Sequence, residues 1–204
     1  MPCYALEDVV PVVDPGAYVH PTAVLIGDVI VAAGCYVGPC ASLRGDFGPI
    51  LLESGVNMRD GCALHGFPNR QTLVRTNGHI GHGAVVHSCT IGADVLIGMN
   101  AVVMDDADIG AQSIVAACAF VPARMQVPPR SLVVGLPAKV RRVLTDEEIA
   151  WKWEGTRAYQ DLTRRCLASL HEVAPLTHVP ARRPLIKAPV VEPLSTVKRY
   201  TANP

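Results

Sequence analysis

Residues 85–133 read VVHSCT-IGADVL-IGMNAV-VMDDAD-IGAQSI-VAACAF-VPARMQ-VPPRSL-V, and in hexads the first column is Val85, Ile91, Ile97, Val103, Ile109, Val115, Val121, Val127 and Val133. Four positions after each comes a mostly small residue: Cys89, Val95, Ala101, Ala107, Ser113 and Ala119. An earlier block keeps the same rule, with Val13, Val19, Leu25, Val31, Val37 and Leu43 in the aliphatic column and Ala17, Ala23, Val29, Cys35 and Ala41 in the small one. A period of six fits neither an α-helix nor a plain strand. It fits a short strand plus a turn, three of which close one triangular coil of about 18 residues, with each aliphatic side chain stacked on the one a coil earlier. A sandwich of short strands would not hold one phase over so many steps. The sequence therefore predicts an all-β solenoid, a left-handed parallel β-helix of hexapeptide repeats with a C-terminal α-helix.

Working outward, the phase slips by one between Leu43 and Ile50 and is then expected to hold through Val56 and Cys62. The repeat vanishes over FPNRQTLVRTNG, residues 67–78, which predicts a protruding loop. The solenoid is expected to fill residues 1–144. Thr145 followed by Asp146, Glu147 and Glu148 is a capping box, opening a helix over 145–172 whose apolar side carries Ile149, Trp153, Leu162, Cys166, Leu167 and Leu170. Residues 173–204, with Pro175, Pro180, Pro184, Pro189, Pro193 and Pro204, read as an extended tail.

Composition excludes several classes. The 204 residues carry 18 basic and 18 acidic side chains, so nothing attracts nucleic acid or a membrane surface. Half the chain is hydrophobic, which excludes a disordered polypeptide, yet no apolar run is long enough to span a membrane. The N-terminus lacks the positive charge of a secretory signal, and the seven cysteines form no CxxC pair. Together these predict a cytoplasmic protein with structurally inert thiols.

Four of the seven histidines, His65, His79, His82 and His87, fall within 23 residues. His82 and His87 occupy successive hexads and so belong to adjacent faces, diverging by about 120° in a triangular prism. His65 and His87 are a coil apart and are expected to stack on one face. That geometry suggests two metal ligands from one chain and His82 from a neighbour, closing by symmetry into a homotrimer. Three histidines with an open fourth position suit a catalytic zinc. His79 is less well placed and reads as structural.

The runs LRGD (residues 43–46), NMRDGCALHGF (57–67), GHIGHGAVVHSC (78–89) and IGMNAVVMD (97–105) resemble the γ-class carbonic anhydrase-like hexapeptide-repeat family. The phenylacetic acid degradation (PaaY) branch is the nearer match and the carnitine-operon (CaiE) branch a near relative. The resemblance covers roughly residues 1–175 and implies a trimer with zinc, or another divalent ion such as iron or cobalt, between subunits, held by His65, His82 and His87. Arg44 and Asp46 match the family's Arg-x-Asp pair, which would hold substrate, bridge subunits, or both. Asp60 matches its acidic residue, and Arg59 stands where the family usually has glutamine. Arginine only donates hydrogen bonds, and residues 67–78 contain no Asp or Glu, so efficient proton removal for CO2 hydration is not expected. The resemblance implies a metal-dependent hydrolase of acyl-CoA thioesters linked to phenylacetate catabolism. Carbonic anhydrase activity on CO2/bicarbonate, a metal-independent acyltransferase and a non-catalytic assembly subunit are the alternatives.

Overall fold

In the computed structural model, residues 1–187 and Pro189 are described; Pro193 and Pro204 of the expected tail lie outside them. Among the described residues, mostly short parallel strands wind a solenoid of about seven turns followed by one helix, as the repeat requires. The inward ladder on the first face is Leu25, Leu43, Leu64, Val86, Val103 and Val121. On the second it is Val13, Val31, Leu52, Val74, Ile91, Ile109 and Val127, and on the third Val19, Val37, Met58, Ile80, Ile97, Val115 and Val133. Every rung is aliphatic because each side chain contacts its equivalents above and below, and the three ladders merge into one core.

Two phase assignments require correction. Ile50, Val56 and Cys62 do not continue the aliphatic column. They fill the small-residue slots beside Val29, Cys35 and Ala41, while Leu52, Met58 and Leu64 take the aliphatic rungs. The cause is a bulge: one residue separates Gly27 from Val29, whereas four, Asp46–Pro49, separate their partners Gly45 and Ile50. Likewise the core residue of the 85–91 hexad is Val86, fully buried, and not Val85, 37% exposed. The turn after Val86 is one residue short, with Ser88 in the left-handed region at φ 42°.

The expected loop is also smaller. Thr72–Val74 is a strand of the second face, paired with Ile50–Leu52 on one side and Thr90–Ile91 on the other. Only the segment just after Gly66 leaves the coil. Thr72 hides there because its hydroxyl has partners: it donates to the His65 carbonyl and accepts from the Ser88 amide.

The helix spans Asp146–Ser169, with the reciprocal Thr145–Glu148 capping box in place. It packs against the third face over Tyr18–Val19, Tyr36–Val37 and Asn57–Met58. Its buried side is not the apolar one expected. Glu148, Lys152, Thr156, Thr163 and Cys166 face inward, while Trp153, Leu167 and Leu170 are exposed. The reason is the surface beneath: the outward ladder on this face begins Tyr18, Tyr36, Asn57 and His79, polar and aromatic groups that the helix covers. Tyr159 settles edge-on between Tyr36 and His79, with ring centroids 5.5 and 5.4 Å away. Among the described residues, no helix is long and apolar enough to cross a membrane.

Candidate metal centre

His65 and His87 end two adjacent strands of the first face, in direct register. Parallel pairing therefore stacks their side chains, and His65 Nδ1 faces His87 Nε2 at 3.2 Å. The opposite nitrogen of each ring is held by a carboxylate, His65 Nε2 by Asp46 at 2.9 Å and His87 Nδ1 by Asp105 at 2.5 Å. An ionised carboxylate only accepts, so in neutral rings the protons sit on those outer nitrogens and the facing pair presents two lone pairs. Two lone pairs so close repel unless a cation lies between them. Bonds of about 2.0–2.1 Å at a tetrahedral metal place two imidazole nitrogens about 3.3 Å apart, so the pair fits.

His82 lies elsewhere, at the turn after the third-face strand His79–Ile80. Asp60 lies 3.1 Å from its Nδ1, and Arg59 donates to its Nε2 at 3.2 Å. An arginine donor fixes Nε2 as the lone-pair nitrogen, with the other nitrogen on a carboxylate; in the single chain Arg59 occupies that lone pair and has to move off Nε2 for His82 to ligate a metal. This carboxylate–imidazole arrangement is what orients ligands in metal sites. Among the described residues of one chain, no group of three or more His, Cys, Asp or Glu is arranged to hold a metal ion.

The remaining expected site residues fall around these imidazoles. Asp46 bridges His65 and Arg44, whose guanidinium is 3.3 Å from its second oxygen. Arg59 pairs with neither Asp46 nor Asp60. It lies over the Tyr159 ring, 4.4 Å from its centroid, and reaches His82. Burial lowers its pKa, and its Nε has no partner. His79 is buried, and burial with the nearby Arg59 and Lys152 charges holds its pKa well below the ordinary value, leaving it neutral. Burial pushes the thiols of Cys35 and Cys62 up to about 11 and that of Cys89 to about 12, so these three are unreactive near neutral pH.

Sequence reasoning missed Asp105, although its spacing was legible: it stands 18 residues after His87, one coil above it. It also missed Phe47 and Phe67, exposed rings with centroids 5.4 Å from His65 and 5.3 Å from His87. Both sit where the coil is interrupted, which is the signal that could have found them. A carboxylate also stands beside the loop, since Asp106 pairs with Arg70.

The fold and this histidine cluster define a hexapeptide β-helix protein, and residues 88–123 match the bacterial transferase hexapeptide (six repeats) family. The chain is 56% identical to the carnitine operon protein CaiE of Salmonella agona over 92% of this chain and 94% of the relative. It is 57% identical to CaiE of Citrobacter koseri, covering 92% and 95%. A solved hexapeptide transferase family protein from Anaplasma phagocytophilum superposes with a TM-score of 0.77 at 30% identity, covering 80% of this chain and 97% of that one. The chain belongs to the family of the carnitine operon protein CaiE. Within the γ-class carbonic anhydrase-like group it is the carnitine-operon branch, the near relative in the sequence reading, that these relatives name.

Proposed function

We propose that the protein is a metal-dependent hydrolase of CoA thioesters that works as a homotrimer, with His65 and His87 of one subunit and His82 of the next as ligands. The observation that carries this reading is that all three imidazoles have one nitrogen beside a carboxylate, while two of the remaining nitrogens face each other 3.2 Å apart. His82 sits on a different face and meets such a pair only across a subunit boundary. Zinc, or iron or cobalt in its place, would supply a Lewis acid and a water acidified towards neutrality.

The chain's own groups do the rest. Asp46, Asp60 and Asp105 fix ring orientation and tautomer. Arg59, a half-buried cation beside His82, is placed to donate to an oxygen that gains negative charge as a thioester carbonyl is attacked. Arg44 is held by Asp46 at the rim, where it can meet an anionic part of the substrate. In the overall reaction water adds to the acyl carbon, the C–S bond breaks, and the thiol leaves with a proton. Phenylacetyl-CoA is the first substrate to try, following the phenylacetate link of the sequence resemblance.

A metal-independent acyltransferase is the second reading, favoured by the transferase names of the matched family and of the Anaplasma relative. Metal quantification of the purified protein, followed by a panel of CoA thioesters with CO2 hydration alongside, separates the readings. The hydrolase reading expects close to one metal per chain and thioester hydrolysis that a chelator abolishes. Metal-free protein that transfers acyl groups at full rate would overturn it.

A further inference from the structure

On the third face the outward ladder changes character above His79, continuing as Leu96, Ile114 and Leu132. The N-terminal half of the helix stands off from this upper part and leaves a cavity of about 430 Å3, within the roughly 300–1,000 Å3 typical of small-molecule sites. Leu96, Met99, Ile114, Leu132 and Trp151 give it apolar walls, while Arg59, His79 and Lys152 line its polar end. Two of those polar groups are incompletely satisfied: His79 Nδ1, on a residue only 3% exposed, and Arg59 Nε have no hydrogen-bond partner. Lys152 donates to the Asn77 carbonyl at 2.8 Å and lies 3.9 Å from an oxygen of Asp94 behind it. Among the described residues, no carboxylate belongs to the cavity lining itself.

Gly155 points the same way. It sits mid-helix on the cavity wall, where an added Cβ meets no atom within 4 Å. Glycine inside a helix costs about 0.5–1 kcal/mol relative to alanine, and here that cost leaves space over the cavity. Arg59 links the cavity to the metal centre, since it lines the one and reaches His82 of the other.

We propose that this cavity is the acyl subsite, selecting an uncharged apolar acyl group, aromatic or branched aliphatic, whose carbonyl or carboxylate end lies at Arg59, and rejecting acyl groups that carry a quaternary ammonium. The proposal rests on the thioesterase reading for its place in catalysis, but its binding claim stands apart from turnover. An apolar body meets Leu96, Ile114 and Leu132, and the anionic end meets a cation with an unused donor. A trimethylammonium group would enter a space whose lining offers the Arg59 guanidinium and no carboxylate, Lys152 being paired from behind with Asp94 at 3.9 Å, so it is brought towards the Arg59 charge at low dielectric.

The test compares two acids of nearly the same shape, 5,5-dimethylhexanoate and 4-(trimethylammonio)butanoate, which differ in having carbon or charged nitrogen at the branch. Each is titrated into the intact protein carrying Trp153→Phe, so that Trp151 in the cavity wall reports binding by fluorescence. 5,5-Dimethylhexanoate, which lacks the ammonium charge, is expected to bind at least about tenfold more tightly, since tenfold is only about 1.4 kcal/mol of discrimination. Gly155→Leu fills the cavity and raises helix propensity, and it should weaken that binding by about tenfold or more without lowering the melting temperature. Ala116→Phe, which fills the cavity from the solenoid side, serves if the first variant misfolds. In turnover, both variants should lower the ratio of phenylacetyl-CoA to acetyl-CoA hydrolysis.

Equal binding of the two acids, or binding untouched by both variants, overturns the proposal. So does a change in trimer dissociation with acyl selectivity intact, which would assign the cavity to a neighbouring subunit. Selective binding with no hydrolysis of any thioester would leave the subsite standing and remove the thioesterase.

Discussion

Replacing Asp105 by asparagine isolates the charge that holds His87. The carboxylate lies 2.5 Å from His87 Nδ1, and the two side chains are 15% and 22% exposed, so solvent screens the contact weakly. Asparagine keeps the shape and an accepting oxygen but removes the charge. Hydrogen bonds to charged groups contribute about 1.5–3 kcal/mol and neutral ones about 0.5–1.5, so the exchange should lose about 1–1.5 kcal/mol. That converts to a zinc affinity lowered about tenfold; Asp105→Ala, which also frees the ring to rotate, should fall towards the hundredfold end of outer-partner effects. Competition with a chromophoric chelator measures both. Asp106→Asn is the matched control, because the neighbouring carboxylate pairs with Arg70 and touches neither histidine. Unchanged affinity in Asp105→Asn, or a larger loss in Asp106→Asn, would refute the assignment of Asp105 as the group that positions His87.

The solution mass should be near three times 21.7 kDa; a monomer holding stoichiometric metal would remove the case for His82 as a ligand from the neighbour. His82→Ala should lose metal and turnover yet keep its circular dichroism and match the metal-free wild type in melting temperature, since His82 lies outside the aliphatic ladders. CO2 hydration should be slow beside thioester hydrolysis, because Arg59 cannot accept a proton at neutral pH; rapid hydration by the wild type, or an Arg59→Gln variant with both activities unchanged, contradicts this. Burial lowers Lys152 to about 8 from 10.5, so between those pH values the unfolded chain binds more protons and this residue's contribution to stability rises with pH. The wild type should therefore gain on Lys152→Met by an amount of the order of 3 kcal/mol between pH 8 and 10.5, read from paired denaturant titrations; a constant difference would show that Lys152 is not buried as a cation.

The sequence by itself determined the solenoid, because a six-residue period in aliphatic and small side chains is a local pattern that one geometry satisfies over many coils. It also determined the start of the helix, since Thr145 and Glu148 satisfy each other's backbone amides within one turn, and it placed His65 and His87 on one face. Tertiary structure decided what depends on registers accumulated across coils. A bulge at Asp46–Pro49 and a short turn at Ser88 moved the core positions to Leu52 and Val86, and Thr72–Val74 rejoined the ladder once its neighbours supplied partners. The helix turned its polar side inward because the face beneath offers Tyr36, Asn57 and His79, a surface assembled from residues about 20 apart that no window along the chain displays. Asp105 meets His87 for the same reason: contacts between coils run at right angles to the sequence, and only the winding brings them together.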